Sequence, residues 1–97
     1  MRDAISQEHM AKYMETTRQA LEKLRIAPPE RSFHRRMAED FLLMARSYYG
    51  DAQHFLEQGD LVNAFASVNY AHGWLDCGAR IGLFAVDGDD RLFTLYE

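Results

Sequence analysis

The chain has 97 residues, enough for one domain with a modest core and a thin stability margin. Its apolar and charged fractions, 47% and 27%, are ordinary for a globular protein, and its net charge of −4 argues against a general nucleic-acid binder. One cysteine, Cys77, excludes an internal disulfide and any paired-cysteine metal or redox motif; with no membrane-length apolar run and a polar opening, MRDAISQEH, the protein is expected in the cytoplasm with no membrane association.

The first predicted helix covers residues 6–24. Met10, Tyr13, Met14, Thr17, Leu21 and Leu24 recur at helical spacing along one stripe, and Ser6 or Asp3 can cap the start. The connection RIAPPERS ends it, because consecutive prolines lack the N–H groups that a helix interior needs. Arg25, Arg31, Arg35 and Arg36 gather here. Four arginines without interleaved aromatics read as a solvated helix start and linker, so nucleic acid is not the expected partner; an RNA contact through Arg31, Arg35 and Arg36 is the alternative.

The second helix runs from residue 29 or 32 to residue 58. Phe33, Met37, Phe41, Met44, Ala45, Tyr48, Ala52, Phe55 and Leu56 make a wide apolar face, which implies two neighbouring elements. Gly50 interrupts it at a cost near 1 kcal/mol relative to Ala. Gly59 and Asp60 then supply a C-terminal glycine and an N-cap in two consecutive residues, which forces an antiparallel helical hairpin.

The third helix is expected over residues 61–84. Leu61, Ala64, Phe65, Val68, Ala71, Leu75, Ala79 and Leu83 form its core stripe, with His72 inside it. A second apolar stripe, Ala66, Tyr70, Gly73, Trp74, Cys77, Ile81 and Phe84, lies on the opposite side, where the edge of a small bundle should be polar. The first helix and a C-terminal strap through Leu92, Phe93, Leu95 and Tyr96 are expected to cover most of it and leave the rest as a partner surface. The tail AVDGDDRLFTLYE carries an Asp87-Gly88 turn between short apolar stretches, the pattern of a small hairpin or an extended strap.

The segment YYGDAQHFLEQGDLVNAFASVNYAHGWLDCGARIGLF, with its GD, NYAHGWLD and GLF elements and the later RLFTL, resembles the small archaeal family catalogued as domain of unknown function 357. The resemblance implies a compact up-and-down bundle, mainly of three helices, in an archaeal cytoplasm. It implies no activity, because the family has no established catalytic or binding residues to carry over.

Candidate chemistry centres on His72, inside the core stripe, with Asn69, Asp76 and Arg80 along one edge of it. His72 and Asp76 are one turn apart, the spacing of a general-base pair or of two metal ligands. A metal needs a third ligand, for which Asp51 and His54 qualify by type only. The stronger reading is a half-buried histidine hydrogen-bonded for structural reasons, with Asp76 or Asn69 as partner. Asp87, Asp89 and Asp90 lack the spacing of a calcium loop and read as a solvated acidic turn. Cys77 lies late in its helix, where the dipole disfavours a thiolate.

These observations predict an all-α, three-helix up-and-down bundle with a short C-terminal extended strap or hairpin. They point to a non-catalytic interaction module with a protein partner or a second copy, working through Tyr70, Trp74, Cys77 and Ile81, with no cofactor and no metal. The rival is a small enzyme or metal-binding protein built on Asn69, His72, Asp76 and Arg80.

Overall fold

A computed structural model describes residues 6–89 and 91–93. In chain order these form α1 (Gln7–Lys23), β1 (Arg25–Ile26), α2 (Phe33–Glu57), α3 (Leu61–Arg80) and β2 (Phe84–Ala85). The fold is all-α, with three helices and a two-stranded antiparallel sheet among the described residues.

Each helix starts at a side-chain cap. Ser6 Oγ accepts from His9 N–H, Ser32 Oγ from Arg35 N–H at 3.0 Å, and Asp60 Oδ1 from Asn63 N–H at 3.1 Å. The prolines precede the Ser32 cap, so α2 begins after them. Two helices end the same way. After α2, Asp60 N–H reaches back to the Phe55 carbonyl at 2.9 Å and Gly59 N–H to Leu56 at 3.0 Å, with Gly59 at φ 74°. After α3, Leu83 N–H reaches Gly78 at 2.8 Å and Gly82 N–H reaches Ala79 at 3.3 Å, with Gly82 at φ 84°. These are paired Schellman closures. The second corrects the expectation of a helix reaching residue 84: positive φ at Gly82 turns the chain out of the helix axis.

That early exit also redirects the tail. Phe84 pairs with Ile26 and Ala85 with Arg25, so the strand partner of the tail comes from the α1–α2 connection and not from the tail itself. The Asp87-Gly88 turn forms as expected, with Asp89 N–H on the Val86 carbonyl at 3.1 Å. It carries Leu92 and Phe93 into the core, where both are buried.

α3 is the central helix, packed along α2 on one side and against α1 on the adjacent side. Ala38, Ala45 and Ala52 of α2 and Ala64 and Ala71 of α3 are fully buried, and Gly78 of α3 is buried too. Both sets recur every seven residues. In an antiparallel hairpin reversing at Gln58 and Gly59, Ala52 comes level with Ala64, Ala45 with Ala71 and Ala38 with Gly78, so the backbones approach closely. This repeat decides the rotation of α2. It puts Ala38 and Leu42 inside and leaves Phe33, expected on the core face, 66% exposed. One cluster joins Ala20, Leu24, Leu42, Leu75, Leu83, Phe84, Val86, Leu92 and Phe93; a second joins Met10, Met14, Ala52, Ala64 and Val68.

Candidate interaction surface and the His72 cleft

His72 projects from the α1 side of α3 and is half-buried. Its Nε2 lies 2.6 Å from the Leu92 carbonyl oxygen and its Nδ1 lies 3.0 Å from Thr17 Oγ1. A carbonyl only accepts, so Nε2 carries the proton and donates to Leu92; in the neutral ring Nδ1 accepts from the Thr17 hydroxyl. Asp76 Oδ1 is 3.5 Å from Nε2, and the His72 ring lies 6.4 Å from the ring of Phe93. One imidazole thus joins α1, α3 and the C-terminal segment. The partners differ from those anticipated: Thr17 and the Leu92 carbonyl take the ring nitrogens, with Asp76 further off. Thr17 is buried, and its hydroxyl needs this bond.

A cleft of 280 Å³ between α1 and α3 is lined by residues including Tyr13, Thr16, Thr17, Asn69, His72 and Asp76. It brings together three of the four candidate chemical residues. Arg80 is exposed and does not line it. A histidine with both nitrogens engaged must break a fold contact before it can take a proton from a substrate. Among the described residues no three metal-capable side chains gather; Asp51 and His54 are exposed on α2.

A larger groove, 470 Å³, runs along the outer face of α3 and is lined by Ala66, Asn69, Tyr70, Gly73, Trp74 and Cys77. Tyr70 is 61% exposed and Ile81 52%. Cys77 is exposed as well. Here the expected cover is corrected. Among the described residues neither α1 nor the tail lies over this stripe, because the Gly82 closure sends the tail toward β1 and the opposite side of α3. Phe84 leaves the stripe for the core, its ring standing where Gly78 would carry a Cβ, and Trp74 packs partly buried against the same core. Leu95 and Tyr96 lie outside the described residues. The rim on the α2 side is made by aromatic pairs: Tyr48 stacks on Tyr70 at 4.8 Å between centroids, and Phe41 meets Trp74 edge-on at 4.9 Å. Trp74 Nε1 is buried without a hydrogen-bond partner.

Two of the four arginines, Arg25 and Arg35, are engaged within the fold. Arg25 pairs with Asp87 at 2.9 Å, and Arg35 donates to the Pro28 carbonyl at 3.4 Å. Arg31, at φ 64°, and Arg36 are exposed. The acidic turn is structural rather than simply solvated. Asp89 accepts from Lys23 Nζ at 2.8 Å and from the Arg91 and Leu92 backbone N–H groups at 3.0 and 3.2 Å. The Lys23 ammonium holds the Asp89 carboxyl below its ordinary range. Asp90, the third of that group, lies outside the described residues.

The family model described as "Protein of unknown function (DUF357)" matches residues 12–84, from α1 through the first residue of β2. The chain belongs to this family. No curated protein and no solved structure matches it.

Proposed function

We propose, taking membership of that family as the premise, that this protein is a non-catalytic helical interaction module whose working surface is the outer face of α3. The observation that carries the reading is the uncharged, aromatic-rimmed groove from Ala66 to Cys77, flanked by the exposed Tyr70 and Ile81. Isolated exposed apolar residues such as Leu43 on α2 are ordinary; a contiguous apolar strip along one helix marks an interaction site. Groups fixed by stacking, as Tyr70 is on Tyr48, lose little entropy on binding. Placement in an archaeal cytoplasm is supported by the family resemblance of the α3 segment. For membranes, no helix among the described residues is long and apolar enough to cross one.

The catalytic alternative draws less support, since both nitrogens of His72 are engaged in the fold. The RNA-contacting alternative is weakened by the engagement of Arg35 with Pro28. The test compares two double variants in association assays, by sedimentation and by capture from native extract. Tyr70→Lys with Ile81→Lys charges the α3 face; Phe33→Lys with Leu43→Lys charges equally exposed apolar positions on α2. Loss of association only in the first pair supports the reading. Equal behaviour of the two pairs removes it.

A further inference from the structure

We infer that the occupant of the α3 outer face is the same face of a second copy of this chain, docked antiparallel about a two-fold axis. The inference rests on reading that face as an interaction surface and identifies its partner. It follows from the spacing of the exposed residues. Val62, Ala66, Tyr70, Gly73 and Cys77 of α3, with its C-cap Ile81, are all exposed, and their separations run four, four, three, four, four. That spacing reads the same in both directions. An antiparallel copy centred between Ala71 and His72 therefore sets Val62 against the partner's Ile81, Ala66 against the partner's Cys77, and Tyr70 against the partner's Gly73.

The sizes are complementary as well as the positions. At the centre the largest exposed side chain, Tyr70, meets the residue with no side chain, twice by symmetry. Nothing lies within 4 Å of the point where Gly73 would carry a Cβ, so the position is an open hole. Ala66 and the partner's Cys77 are both small and let the backbones approach. Val62, 74% exposed, and Ile81, 52% exposed, close the two ends with apolar contact. This is an isologous interface, in which each contact occurs twice.

Electrostatics permit the arrangement. The same register sets Arg80 against the partner's Asn63, so no like charges meet along the strip. Antiparallel helices also place their dipoles head to tail. From Val62 to Ile81 the strip is about 28 Å long at 1.5 Å per residue. A molecule measuring 44 × 26 × 19 Å has room on this side for the roughly 800 Å² per partner of a standard interface, with Tyr48 of α2 and Tyr13 of α1 flanking the strip.

The test uses the purified full chain. Sedimentation over a concentration series is expected to show a monomer–dimer equilibrium with no larger species. The Ala66→Cys variant, treated with diamide, is expected to form a covalent dimer through the partner's Cys77. The unaltered chain is not, because this register holds the two Cys77 residues about 16 Å apart along the helix axis, far beyond disulfide reach. Gly73→Leu fills the hole with a good helix former; helicity should be retained while the dimer dissociation constant rises at least about tenfold. A monomer at all concentrations, or covalent dimers of the unaltered chain through Cys77, overturns the self-pairing. Should the chain be monomeric yet capture a protein that Tyr70→Lys with Ile81→Lys releases, self-pairing fails while the interaction reading stands. If association is also indifferent to that pair, both fail.

Discussion

At the scale of single residues, two glycines inside different helices do opposite things. Gly78 is buried, and the Phe84 ring occupies the space of a Cβ. Gly78→Ala is therefore expected to destabilise by about 1–3 kcal/mol, as overpacking does. Gly50, midway along α2, has nothing within 4 Å of its Cβ position, and Gly50→Ala should stabilise by about 1 kcal/mol. Urea denaturation of both variants checks this; equal effects would mean that Phe84 yields freely. A second residue-scale test concerns Thr17. Thr17→Val keeps the shape and leaves His72 Nδ1 without its donor, a loss of about 1–3 kcal/mol by the same assay. Much at this scale was open to reading from sequence. The caps Ser6, Ser32 and Asp60 follow from short-range chemistry, and so does the turn at Gly59. The partners of His72 did not follow. Thr17 lies 55 positions away and the Leu92 carbonyl 20 away, and no local pattern encodes such pairings.

At the scale of elements, the C-terminal segment works as a clasp on α1. Phe93 and Leu92 are buried in the core, Phe84 pairs with Ile26, and Asp89 grips Lys23 at the end of α1. Phe93→Ala is expected to cost about 3–5 kcal/mol, a large part of the stability of a small domain. Calorimetry should place its melting temperature well below that of the unaltered chain. The clasp is also sensitive to acid. The Asp89 carboxyl is held below its ordinary 3.8, chiefly by Lys23, and the Asp60 carboxyl below 3.8, chiefly by the Asn63 backbone N–H. Arg18 lowers Glu15 from 4.5 to about 2. These groups titrate lower in the folded chain than in the unfolded one. Their contribution is complete above about pH 4.5 and is lost as pH falls toward the folded values. The melting-temperature gap between Asp89→Asn and the unaltered chain should therefore be larger at pH 6 than at pH 3; a gap independent of pH would remove the Lys23 pairing as a stabilising contact. The helices themselves were legible, because periodicity and caps agree. The strand pairing was not. Arg25–Ile26 is too short to show alternation, and the tail's turn suggested a partner nearer in sequence.

At the scale of the whole molecule, the alanine repeat explains why one side of α3 stays open. Ala38, Ala45 and Ala52 against Ala64, Ala71 and Gly78 draw α2 close along one line, and α1 takes the adjacent side through Met10, Met14 and Thr17. Three helices arranged with α3 in the middle leave its back without cover among the described residues. The sequence showed that this stripe is apolar, but not what lies over it. That depended on where α3 ends, and Gly82 ends it early enough to send the tail the other way.

For the proposed cover of the α3 face by a second copy, the chain carries its own reporter at the rim of that face: Trp74, its one tryptophan. The most direct measurement is Trp74 fluorescence across a dilution series of the unaltered chain and of Gly73→Leu. The emission of the unaltered chain is expected to shift to the blue as concentration rises and water leaves the groove, while Gly73→Leu stays at the red value throughout. An emission maximum independent of concentration in the unaltered chain, over a range in which sedimentation detects dimer, would contradict the account and place the contact elsewhere on the molecule.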